Sequence, residues 1–339
     1  NSDSNNMFKS KKSITPEIKS NPSDAECLFR NPVELSSIEK NTESSSITDE
    51  EENSHLTYIA ITPQHQLDVD VILPTLTRTL LEESLTKIKY HKIIYDEWGF
   101  SEVDKAGRGN ILNFYGPPGT GKTLTAEAYA GKLGLPIIKL GIAELESKLM
   151  GETSKNIKKA FQDASEQGAV IFFDEADTLL GSRLSSVTQG VDNEINAMRS
   201  TMLIELEKFT GIVIFATNFA KNYDAAFRSR ISNHIEFSLP DLEARKLLWA
   251  RMLVEKIPLA QERDELIELC AIQSENFSGR EIRTCMRLAL PKTLKEAMDN
   301  GTEPKLHFSH LEAAIMNVQK SQKEVGISTD STAKRKYKA

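Results

Sequence analysis

Large apolar side chains are sparse and unpatterned up to about residue 55, where polar residues dominate with 12 Ser and 7 Asn. From Pro74 the pattern changes. Leu76, Leu80, Leu81, Leu85 and Ile88 recur every three to four residues. That spacing predicts an amphipathic helix, with Pro74 suited to its first turn. Five short apolar runs follow, at Ile111–Tyr115, Pro136–Leu140, Ala169–Phe173, Gly211–Thr217 and His234–Phe237, separated by helical stretches. Strands alternating with helices over this length predict a parallel, doubly wound sheet. After Pro240-Asp241 the strand runs stop. Helical patterns near 241–255, 261–273, 279–298 and 308–319 predict a second, all-helical domain.

The ends of the chain read differently. Residues 1–55 close on the acidic run Asp49-Glu50-Glu51-Glu52 and hold too little apolar surface to offset their ordering entropy, so they read as a disordered segment, either a passive linker or a tail that recruits a partner or substrate. The tail, 321–339, is polar and ends in the basic Lys334-Arg335-Lys336-Tyr337-Lys338. A net charge of −7 disfavours nonspecific nucleic acid binding, although a local basic patch remains open. Three cysteines, Cys27, Cys270 and Cys285, include no CxxC pair, which argues against disulfides and zinc and fits a reducing, cytoplasmic setting. His307 and His310 stand three apart without the carboxylate or cysteine spacing of a metal site. No apolar run approaches the ~18 residues of a membrane helix.

The candidate chemistry lies where the strand runs end. The first run leads into Gly116-Pro117-Pro118-Gly119-Thr120-Gly121-Lys122-Thr123, the G-x-x-x-x-G-K-[ST] pattern between a strand and a helix. The glycines let consecutive N–H groups curl inward around phosphate oxygens, with the helix N-terminus behind them and the helix former Leu124 following at once. Lys122 then reaches the β- and γ-phosphates and the Thr123 hydroxyl suits Mg²⁺. The third run ends in Asp174-Glu175, at the crevice side of such a sheet. Asp174 can hold Mg²⁺ through water, and Glu175 can activate a water for attack on the γ-phosphate. The pair therefore predicts ATP hydrolysis rather than kinase chemistry. The fourth run ends in Thr217-Asn218, whose amide can position the same water. Arg228 and Arg230 follow, placed for presentation to a neighbouring subunit's γ-phosphate as arginine fingers. Arg280, two residues after Ser278 at the start of a lid helix, can reach back to the nucleotide.

Taken in order, GPPGTGKT, FFDEAD, FATN, AFRSR and SGRE over residues 72–320 resemble the classical clade of AAA+ ATPases. The resemblance implies a P-loop αβα ATPase domain on a five-stranded parallel sheet over 56–240 and a helical lid over 241–320. It also implies ATP and Mg²⁺ as ligands and a homo-oligomeric ring, usually hexameric, in which Arg228 and Arg230 act in trans. In protein-remodelling members the loop after the second strand grips polypeptide in a central pore. Lys148, Leu149, Met150 and Gly151 match that loop, with Leu149 where an aromatic residue is usual, and Thr153 or Ser154 then caps the next helix, with Ile157 and Phe161 on its buried face. The weaker grip of leucine suits limited unfolding or disassembly of a protein substrate as well as threading. Arg280 and the long polar segment Gly181–Thr201, with Asp192, Asn193 and Asn196, are similar to the HORMA-domain remodelling ATPases, and that segment would supply a second pore loop. Two other readings stand beside a remodelling ATPase. One is a nucleic-acid motor or loader, drawing on Lys148, Lys155, Lys158 and Lys159; the other is a slowly hydrolysing, nucleotide-operated scaffold.

Overall fold

The structure is a computed structural model that describes residues 57–103, 110–145, 152–181, 191–218 and 223–335, the side chains of 92, 191–194 and 325–335 excepted. The segment 1–55 expected to be disordered, the Lys148–Gly151 tip, residues 182–190 of the long polar segment and the last four residues lie outside the described residues.

Five strands, β1 (Asn110–Tyr115), β2 (Ile137–Gly141), β3 (Val170–Asp174), β4 (Ile212–Thr217) and β5 (Asn233–Glu236), form one parallel sheet in the order β2-β3-β4-β1-β5. This is a P-loop AAA ATPase fold with a C-terminal helical lid. The solid apolar runs that mark these strands follow from burial on both faces. Ile111, Ile171, Phe173, Val213 and Phe215 face one layer and Leu112, Phe114, Phe172 and Ile214 the other, the period of two expected of strands. The first layer is covered by α5 (Glu152–Gln167) through Ile157 and Phe161, α7 (Val191–Lys208) through Met198, Met202 and Leu206, and α8 (Ala225–Arg230) through Phe227. The second is covered by α2 (Thr75–Lys92) through Leu81 and α3 (Lys122–Lys132) through Ala126 and Tyr129. Short helices α1 (Leu67–Asp70), α4 (Ile142–Leu145) and α6 (Asp177–Leu180) complete this part.

The lid consists of α9 (Leu242–Met252), α10 (Arg263–Gln273), α11 (Gly279–Asn300) and α12 (Phe308–Arg335) around Trp249, Leu266, Cys270, Phe277, Ile282, Cys285 and Leu311. Its helix starts follow capping chemistry. The Asp241 carboxylate accepts from Ala244 N–H at 2.8 Å, and Ser278 and Glu281 form a reciprocal capping box on α11. His310 of α12 pairs with Glu296 of α11 at 2.8 Å, a carboxylate partner that sequence spacing does not reveal.

Three local expectations are corrected. Pro74 is the residue before α2, not in its first turn; its carbonyl accepts the first helical hydrogen bond from Arg78 N–H at 3.1 Å. Thr153 and Ser154, expected as alternative caps for α5, both lie inside it, because the helix already begins at Glu152. Thr153 is buried, and the Ser154 hydroxyl meets that of Thr201 on α7 at 2.9 Å. Finally, α12 continues past 319, where its apolar stripe ends, to Arg335.

Residues ahead of β1 brace the sheet. Ile61 forms a two-bond antiparallel bridge with Ile137 on the outer side of β2, both bonds 2.9 Å. At the other edge the Thr77 hydroxyl donates to Glu236 O of β5 at 2.8 Å. Among the described residues no helix is long and apolar enough to cross a membrane.

Candidate nucleotide site

The order of the sheet places the turn after β1 beside the ends of β3 and β4, at the crevice where parallel α/β sheets bind ligands. A cleft of about 440 Å³ opens there, between the turn and the lid. Two prolines, Pro117 and Pro118, stiffen the start of this turn, whereas Gly116, Gly119 and Gly121 have φ of 144°, 81° and 96°. A Cβ at Gly116 would lie 2.2 Å from Phe237 O, and one at Gly119 would lie 2.7 Å from Ser278 Oγ and 2.8 Å from Arg280 Cβ. Glycine thus serves both the curl of the loop and the close seating of the lid upon it.

Lys122 is buried at the floor of the cleft. Its Nζ donates to Gly116 O at 2.7 Å, Pro117 O at 2.9 Å and Asn218 Oδ1 at 3.0 Å. Burial pulls its pKa below the ordinary lysine value, opposed by the charges of Asp174 and Asp177. The Thr123 hydroxyl donates to Asp174 Oδ2 at 2.7 Å. Thr120 ties the loop to itself through Pro117 O at 2.9 Å. Leu124, with Pro118, Gly119 and Thr120, lies on the cleft wall. The structure therefore brings together, around one cleft, Lys122, Thr123, Asp174, Glu175, Asn218 and Arg280, which are far apart in sequence.

Glu175 is exposed and adopts φ 54°, with its N–H on Asp174 Oδ1 at 2.9 Å. A left-handed conformation at a non-glycine residue is strained by about 1–3 kcal/mol and recurs at functional sites. Arg228 and Arg230 lie away from the cleft, on α8. The Arg230 guanidinium is held by Glu207 of its own chain, with Nε at 3.1 Å, and by Ala226 O at 2.9 Å, whereas Arg228 is exposed.

Several contributors escaped the sequence reading. Asp177, the last residue of FFDEAD, accepts from both the Thr217 hydroxyl and Asn218 N–H, the latter at 2.8 Å, and so fixes the end of β4. Its recurrence three residues after Asp174 was the available signal. Asp70, Val71, Ile72, Leu248, Met252, Arg251 and Arg283 also line the cleft. Arg251 of the lid donates to Val69 O and Asp70 O, fastening α9 to the segment ahead of α2. No local pattern marks these residues, because they meet only through tertiary packing.

Residues 112–239 match the family model for ATPases associated with various cellular activities (AAA). The chain carries an AAA ATPase domain. It is 32% identical over 210 residues to the ATPase family AAA domain-containing protein FIGL1 of Arabidopsis thaliana, covering 60% of this chain and 30% of that protein. It is 32% identical over 211 residues to a putative 26S proteasome regulatory subunit homolog of Methanothermobacter thermautotrophicus, covering 61% and 54%. An uncharacterized AAA family ATPase, y4kL, of Sinorhizobium fredii matches at 39% over 130 residues, 38% of each chain. The chain thus spans from under a third to about half of these relatives' length. The crystal structure of the FIGL-1 AAA domain in complex with ADP superposes with a TM-score of 0.60 at 21% identity, covering 78% of this chain and 89% of that one. The likeness is one of fold.

Proposed function

We propose that this AAA domain hydrolyses ATP within a homo-oligomeric ring, hexameric as in the resemblance, and uses that hydrolysis to remodel or disassemble a protein partner. The observation that carries the reading is the convergence on one cleft of Lys122, Asn218, Glu175 and the lid residue Arg280. In this reading the loop N–H groups from Gly116 to Thr123 cradle the phosphates, and Lys122 exchanges its carbonyl partners for β- and γ-phosphate oxygens. Val71, Ile72, Leu248 and Met252 give the apolar end of the cleft, suited to a base. Glu175 accepts the proton of a water that Asn218 orients through its amide. The water oxygen bonds to the γ-phosphorus as the bond to the bridging oxygen breaks, leaving ADP and phosphate.

The Thr123 hydroxyl and Asp174 carboxylate, 2.7 Å apart, are hard oxygen donors of the kind Mg²⁺ takes when phosphates and water complete its shell. A bound Mg²⁺ would neutralise charge on the β- and γ-oxygens. Arg228 is the arginine available to a neighbouring subunit, while Arg230 must first leave Glu207. The lid, through Arg280, reports the nucleotide state. Leu149 and Met150, flanked by Lys148 and Gly151, contact the polypeptide. The presence of Arg280 on the cleft also supports kinship with HORMA-domain remodelling ATPases.

The test is steady-state ATP hydrolysis against protein concentration for wild type, Glu175→Gln, Arg228→Ala and Leu149→Ala, with and without an unfolded polypeptide. The reading expects activity that rises with concentration, is abolished in the first variant and falls at least ~10³-fold in the second. Polypeptide should change the rate only when Leu149 is intact. Concentration-independent turnover that survives Arg228→Ala would refute the ring, and no turnover at all would favour a nucleotide-operated scaffold.

A further inference from the structure

A polar cluster runs through the otherwise apolar layer beneath α8. Asn113 is fully buried in the middle of β1, where its neighbours on the same face are Ile111 and, across the ladder, Phe215. Its Nδ2 donates to the Tyr223 hydroxyl at 3.0 Å and lies 3.5 Å from His234 Nδ1 on β5. The rings of Tyr223 and His234 stack with centroids 5.8 Å apart. The Tyr223 hydroxyl lies near the Thr217 side chain. The polar groups thus form one run through the layer, with the Asn113 amide on the Tyr223 hydroxyl at one end and the Thr217 hydroxyl on the Asp177 carboxylate at the other. That carboxylate also holds Asn218 N–H at 2.8 Å.

The other end of the cluster belongs to α8. Tyr223 bridges to Gly181 at the end of α6, and Asp224 N–H bonds Leu180 O at 2.9 Å. Asp224 then caps α8 by accepting from Ala226 N–H at 2.8 Å. Beyond α8, both the N–H and the hydroxyl of Ser232 bond Ile111 O of β1 at 2.8 Å. His234 is depressed below the usual histidine pKa, first by burial and then by the nearby charge of Arg228, so a neutral imidazole can accept the second Asn113 proton. An asparagine in an interior strand of a sheet buries an amide where leucine would pack, and such a group is retained most readily when a network uses it.

We propose that Asn113, Tyr223 and Thr217 form a positioning relay that sets α8, and with it Arg228, by reference to the Asp177 oxygen that holds Asn218. A shift of Asn218 towards or away from the γ-phosphate would then be felt at the arginine that serves the next subunit's site. Bond-linked groups with two arrangements are a physical route for such coupling. The inference rests on the reading of Asn218 and Arg228 given above, but the relay can be tested apart from it.

The experiment uses Tyr223→Phe, which keeps the ring and its stacking and removes the hydroxyl, and Asn113→Leu, which replaces the amide by an apolar group of similar size. Each is made with and without Arg228→Ala. Hydrogen exchange of residues 224–230 in the nucleotide-free chain is read first, because it does not depend on hydrolysis. Faster exchange there, with exchange in the lid unchanged, is the expected result; unchanged exchange in α8 overturns the relay whatever the activity. In the ATPase assay kcat should fall about ten- to a hundredfold, the loss typical of a small displacement of a positioned group. KM and ADP affinity should stay within about twofold, and the loss should vanish in the Arg228→Ala background. Losses that multiply with Arg228→Ala, or that appear in KM, would show a merely structural cluster. A wild-type chain without turnover would remove the hydrolysis reading and leave the exchange result to decide the relay.

Discussion

Gly119→Ala isolates the contact between the phosphate loop and the lid. Two effects add. At φ +81° an alanine is disfavoured by about 1–2 kcal/mol. Its Cβ would also stand 2.7 Å from Ser278 Oγ and 2.8 Å from Arg280 Cβ, so the start of α11 must retreat. Carbon contacts settle near 3.5–4.0 Å, which makes that retreat roughly 0.7–1.2 Å. Ser278 is the α11 cap, so turning its hydroxyl aside instead would forfeit about 1 kcal/mol. The combined penalty is about 2–3 kcal/mol. In the free chain the lid can relieve the clash by swinging outward; in the bound state it cannot, if nucleotide is held between loop and lid. The lid's share, about 1 kcal/mol, therefore falls on binding, and ADP affinity should weaken by roughly fivefold. Calorimetric titration with ADP gives the affinity, while the strain at φ +81°, present with or without nucleotide, should lower the unfolding midpoint of the free chain. An affinity equal to that of wild type would refute the reasoning, since it would mean that the seating of Ser278 and Arg280 on the loop does not build the site.

The lid offers two further predictions. Trp249 is fully buried and donates from Nε1 to Ser274 Oγ at 2.9 Å, so Trp249→Ala should destabilise the lid by about 3–5 kcal/mol, measured by denaturant unfolding. Cys270 and Cys285 lie in the same core, where burial pushes each thiol up to about 12. Both should resist thiol reagents in the folded chain at about pH 8 and react on unfolding. The unfolded thiols ionise near pH 9 while the folded ones stay protonated, so the folded state holds more protons above that pH. Their contribution is fully present below pH 9 and is lost as pH rises towards 12; Cys270→Ala/Cys285→Ala should show a shallower alkaline decline in the unfolding midpoint.

The sheet was legible because strands buried on both faces leave unbroken apolar runs, as in Val170-Ile171-Phe172-Phe173. The order of those strands was not, since an apolar run carries no record of its neighbour. Gly116, Lys122, Asp174 and Asn218 announced themselves by residue type at strand ends. Asp177, Arg251 and Arg283 did not, because a carboxylate after a short turn and arginines in amphipathic helices look like solvated surface until the lid is in place. Asn113 hid inside a strand pattern, where one polar residue among Ile111, Leu112 and Phe114 barely alters the periodicity. Thr153 and Ser154 misled as caps because Glu152 already belongs to the helix.

The brace ahead of β1 has a consequence for solubility. Ile61 occupies the outer side of β2 and Thr77 takes a carbonyl on β5, so both margins of the sheet are met by one stretch of chain. Exposed strand margins are templates for pairing with other molecules. Cutting the chain back to β1 would uncover both at once, on strands as apolar as Ile137-Ile138, and turn a self-contained sheet into one that can stack end to end with its own copies.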